Sequence, residues 1–137
     1  MRLLYITYHY LNGNGGGVFA SRAYINAFAQ ICSNMVLLYP MKENAAPEGI
    51  SENVKSVPVP DCRSKIRKGV GLLLGRQNRF VRTAQRYAKE NFDVVVFDTS
   101  MVTHGLIGLF KKRGARIITI HHNYQFEYFR DNTRFPE

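Results

Sequence analysis

Asp93 to Phe97 reads DVVVF, a short apolar run with no polar alternation, and it constrains the fold more than any other feature. A strand this apolar on both sides must be covered on both faces, and covered strands belong to parallel sheets flanked by helices. Similar runs recur along the chain. Arg2 to Thr7 (RLLYIT), Met35 to Tyr39 (MVLLY), and Arg116 to Ile120 (RIITI) read as strands, and Val54 to Val59 (VKSVPV) as one more. Pro40 is expected to end the second strand, and Pro58 places the third at an edge or a strand end. Helical patterns separate the runs. Phe19, Ala23, Ala27 and Ile31 recur at helical spacing with Ile25 and Phe28 alongside, predicting a helix from about Val18 packed on the sheet by that stripe. Further helices are expected from about Gln77 to Asn91 and from Met101 to Lys112, the latter stopped by Gly114. The expected fold is therefore α/β: a Rossmann-like parallel sheet in the order 3-2-1-4-5 with helices on both faces.

Ligands of such sheets bind at the carboxyl ends of the strands, where the strand order reverses. Three loops converge there: Asn12 to Gly17, Asp98 to His104, and His121 to Glu127. The first holds four glycines in LNGNGGGVFASR. A dinucleotide fingerprint needs G-x-G-x-x-G, but with Gly13 as its first position Val18 stands at the sixth, and no phosphate-loop motif exists. A helix preceded by Gly15, Gly16 and Gly17 still offers free backbone N–H groups to an anion. His121 and His122 are neighbours on an extended chain and so point to opposite faces, which makes the pair a poor metal site. One ring is expected in the crevice and the other packed or hydrogen-bonded. Asp98, Thr99, Ser100 and His104 superficially suggest a hydrolase triad. No G-x-S-x-G elbow is present, and Thr99 or Ser100 reads better as a helix cap.

Charge adds a second feature. The formal net charge is +9 over 137 residues. Nine cations and no anion lie between Arg63 and Lys89, so this one segment carries a charge equal to the whole excess. In its second half Arg79, Arg82, Arg86 and Lys89 share one helix side, opposite Phe80, Ala84, Tyr87 and Ala88. Cations beside the apolar GVGLLLGR that ends at Arg76 fit an anionic membrane surface. No nucleic-acid module is recognisable. Cys32 and Cys62 lack metal-like spacing, and no leader peptide or spanning segment is evident. The chain reads as a cytoplasmic domain, peripheral on the inner face of a membrane.

The N-terminal strand, the GGG loop, DVVVFDTS and RIITIHHNYQFEYF together resemble the N-terminal domain of GT-B-fold glycosyltransferases, the retaining group called family 4. The resemblance covers essentially the whole chain. It implies that the chain is the acceptor-side half of a transferase moving a sugar from a nucleotide-sugar donor to a glycan or lipid-linked acceptor. His122-Asn123 matches the family's H-N-x-E phrase, with Gln125 in place of the glutamate and Glu127 falling later. His122, with His121 as competitor, would face the sugar-transfer centre, while Gly15, Gly16, Gly17, Ser100 and Asn123 would contact substrate. Arg76, Arg79, Arg82 and Arg86 would face the membrane or an anionic acceptor. Neither a cofactor nor a metal is expected. In the family a second Rossmann-like domain with an E-x(7)-E motif holds the donor, and the chain has none, so residues 1–137 are expected to be one domain of a larger enzyme, inactive alone. The other function considered is a non-catalytic α/β nucleotide- or phosphate-binding module.

Overall fold

The computed structural model describes residues 1–41, 47–60, 79–98 and 104–122. Its strands are β1 (Arg2–Thr7), β2 (Asn34–Met41), β3 (Val54–Pro60), β4 (Val94–Asp98) and β5 (Arg116–Ile120). They form one all-parallel sheet in the order β3-β2-β1-β4-β5. Three helices are described: α1 (Gly16–Ile31), α2 (Arg79–Tyr87) and α3 (His104–Lys112). This is the Rossmann-like α/β architecture expected from the apolar runs.

Side chains alternate across a strand, so each strand feeds two cores. Leu4, Ile6, Val95 and Phe97 pack under α2 and α3 with Phe80, Ala84, Leu106 and Phe110. Leu3, Tyr5, Val94 and Val96 lie on the opposite face with Ile25 and Ala29 of α1. Gly114, at φ +85°, ends α3 in a conformation that glycine adopts without strain.

Three expectations need correction. Pro40 does not end β2: the strand continues to Met41, with Pro40 paired to Val59. The β1–β2 ladder stops at Ile6 and Leu38, so beyond that point β2 has a strand on one side only and half its N–H groups have no ladder to join. Second, α1 starts at Gly16 and buries Val18, Ser21, Ile25 and Ala29 rather than the stripe of Phe19, Ala23, Ala27 and Ile31. The buried face lies about 180° around the helix from that stripe, and Ile25 is on it. Phe19 and Ile31 are 55% and 67% exposed. Third, β5 is not covered on both faces. It has β4 on one side only, and Ile118 and Thr119 remain exposed.

Candidate functional site

The register builds the site. Thr7 of β1, Asp98 of β4 and Ile120 of β5 stand side by side at the carboxyl end of the sheet. β4 lies between the other two. Two residues beyond that row, on the same face by strand alternation, come His9 after β1 and His122 after β5. Two histidines thus approach the β4 carboxylate from its two neighbouring strands.

Contacts follow from that placement. Asp98 is fully buried. Its Oδ2 accepts a hydrogen bond of 2.8 Å from the Tyr5 hydroxyl, and its Oδ1 pairs directly with His122 Nε2. The Tyr5 phenol is held protonated, its pKa pushed far upward by burial first and by the Asp98 charge second. Ser21 Oγ of α1 lies 3.4 Å from the same His122 nitrogen. The His9 ring meets the His122 ring edge-on, with centroids 5.1 Å apart, and Tyr24 flanks it at 6.2 Å. The backbone N–H of His9 donates to Thr7 Oγ1 at 3.1 Å. Burial lowers the His9 pKa, with Asp98 opposing that shift and His122 adding to it.

Thr7, Ser21 and Asp98 are the buried polar and charged residues among those described, and all three belong to this cluster. Polar side chains are rarely withdrawn from water without a partner to satisfy or a task to perform. Their gathering at one end of the sheet marks the site.

The glycine stretch closes over it. Gly15 is the N-cap of α1 with no side-chain cap, and the amides of Val18 and Phe19 both reach its carbonyl, at 2.9 and 3.1 Å. The Gly16 and Gly17 amides precede those bonds and are the free donors of the first turn. A Cβ at Gly17 would sit 3.1 Å from His9 Cε1, so this glycine lets the imidazole lie against the helix. No Cβ contact would arise at Gly15 or Gly16. Arg22, one helical turn later, anchors the preceding loop: its Nε donates to the Leu11 carbonyl at 2.8 Å, and Nη2 reaches the carbonyls of Leu11 and Gly13. Beside this loop, between the ends of β1 and β2, lies a pocket of about 240 Å³ lined by Tyr10, Leu11, Asn12, Gly13, Tyr39, Pro40 and Met41.

Of the sequence candidates, His122 and Gly17 are thus brought together, bridged by His9. His121 is exposed and lies outside the cluster. Arg79, Arg82 and Arg86 are exposed on α2, which lies on the other face of the sheet, and among the described residues they form no ion pair. Ser100, Asn123 and Arg76 lie outside the described residues, as do Thr99, Gln125 and Glu127. Sequence reasoning passed over His9 and Tyr5 as functional residues and gave Asp98 no role. The signal was available: Tyr5, Thr7 and His9 alternate along one strand face, and β1 is central in the sheet.

His9, Asp98 and His122 each offer a ligand atom within 4.8 Å of the others, which is a set capable of holding a cation. That set differs from the adjacent His121–His122 pair that sequence spacing disfavoured. The chemistry open to the cluster is hydrogen bonding and proton exchange by imidazoles against a buried carboxylate. Comparison with protein families, with curated proteins and with solved structures gives no match for this chain.

Proposed function

We propose that this domain is the acceptor-side half of a glycosyltransferase that takes sugar from a nucleotide-sugar donor. The observation that carries the reading is the Tyr5–Asp98–His122 chain at the strand-order reversal, faced by the glycine-started helix α1. In this arrangement His122 hydrogen-bonds the transferred sugar or the acceptor hydroxyl. The free amides of Gly16 and Gly17 approach the donor phosphates from the opposite side of the crevice. The resemblance in GGG, DVVVFDTS and HHN favours a sugar over other phosphorylated ligands.

A second domain supplies the remaining donor contacts, so residues 1–137 by themselves transfer no sugar. The basic face of α2, with Arg79, Arg82 and Arg86 exposed and Lys89 exposed in the turn that follows, serves as the dock for an anionic membrane that carries a lipid-linked acceptor. The test is incubation of the purified 137-residue chain with labelled nucleotide sugars. The expected result is no turnover, and measured transfer would overturn the two-domain reading. The reading frame after Glu137 tests the same claim: a second Rossmann-like half with E-x(7)-E supports it, and a stop codon there removes it.

A further inference from the structure

We infer that Asp98 is a positioning residue that locks the His122 ring in one tautomer, so that Nδ1 is the nitrogen offered to substrate. The second half of this statement rests on the reading of His122 as a sugar-facing group; the first half stands on geometry alone.

An ionised carboxylate only accepts hydrogen bonds. Asp98 Oδ2 already receives the Tyr5 hydroxyl, whose proton is held by burial, and Oδ1 faces His122 Nε2. The hydrogen in that second contact therefore resides on Nε2. In a neutral imidazole the other nitrogen is then bare. Nδ1 of His122 has no partner among the described residues, and it becomes the acceptor for a substrate hydroxyl. Three neighbours keep the ring in place: Ser21 beside Nε2, His9 edge-on, and Tyr24 beyond. Tyr5 in turn keeps the Asp98 carboxylate from rotating, and both are fully buried.

Asp98 and His122, with His9, form a set capable of holding a cation. A metal ion on Nε2 would displace its hydrogen, so cation binding there and the Nε2–H contact exclude each other.

Long-range proton–nitrogen correlation spectra of the ¹⁵N-labelled chain, recorded well above the ordinary histidine pKa of about 6.5, read this directly. The wild type is expected to show His122 in a single Nε2–H form with a slowly exchanging, downfield ring proton. Asp98→Ala is expected to lose that proton and give a mixture of tautomers. A wild-type ring protonated on Nδ1 or already mixed would overturn the inference, and this reading needs no variant to fold. Unchanged tautomers in a folded Asp98→Ala chain would overturn it too. So would stoichiometric Zn²⁺ that shifts the ring nitrogens of His9 and His122 together. The spectra report the ring rather than sugar transfer, so their failure is separable from failure of the transferase reading.

Discussion

The two ends of the sheet each carry a hydrogen-bonded side-chain pair, and they could hardly differ more. At the amino end Arg2 bonds Glu90 at 3.0 Å, with side chains 43% and 48% exposed. At the carboxyl end Asp98 bonds His122, with Asp98 fully buried and His122 14% exposed. The first pair lies in water, where screening and lost side-chain entropy leave little net gain. The second lies where each partner, once withdrawn from water, depends on the other. One end of the sheet is closed by the chain's own backbone: Asp93 N–H donates to the Arg2 carbonyl at 3.0 Å, and Arg116 N–H to the Asp93 carbonyl at 2.9 Å. The other end gathers buried polar groups around His122 Nε2, while Nδ1 of the same ring has no partner among the described residues. The contrast separates a pair that merely decorates the fold from one that holds a ring for use.

Breaking the buried end is expected to have the largest effect. Asp98→Ala leaves the Tyr5 hydroxyl and the His122 ring without their acceptor, and the expected loss is about 1–3 kcal/mol by urea denaturation. A loss no greater than that of Glu90→Ala would erase the distinction between the two ends. Acid tests the same end through His9, whose pKa is lowered mainly by burial. The folded chain then binds fewer protons than the unfolded chain below the ordinary value of 6.5. Stability from this group is therefore complete above pH 6.5 and declines as the pH falls toward the lowered value. Thermal melts across that range should show the decline, and His9→Gln should flatten that part of the curve. Equal slopes in both proteins would contradict the burial of His9.

Breaking the exposed end should cost less. Arg2→Ala is expected to change stability by less than about 1 kcal/mol, with the small loss further reduced in high salt. Each of Arg79→Ala, Arg82→Ala and Arg86→Ala should change stability by no more than about 0.5 kcal/mol, the smallest effect of the series, and the three combine in one triple variant. The same triple variant is expected to lose flotation with anionic vesicles while neutral vesicles bind neither protein. Binding that ignores lipid charge would remove the membrane dock from the proposal.

The strand order could be read from the sequence because it depends on properties summed over whole runs. DVVVF and MVLLY admit few environments, and Pro58 did place β3 at an edge. The buried face of α1 could not be read the same way. Ser21 belongs to that face, so counting apolar residues selected the stripe on the opposite side of the helix. That serine is hidden because it stands beside His122, a long-range relation that no helical periodicity encodes. His9 escaped for a related reason: it lies past the end of β1, and the β1–β4–β5 register is what brings it beside His122 and near Asp98. The individual groups of the site were therefore visible in the sequence, while their convergence was not.

The central claim, that the carboxyl end of β1, β4 and β5 is where substrate binds, is tested most directly by mapping amide and imidazole shifts. The ¹⁵N-labelled chain would be titrated with a panel of nucleotide sugars and oligosaccharide acceptors. The account predicts perturbations centred on His9, Gly15 to Gly17 and His122, lost in His122→Ala. Perturbations confined to the pocket around Tyr39 to Met41, or to the basic face of α2, would contradict it.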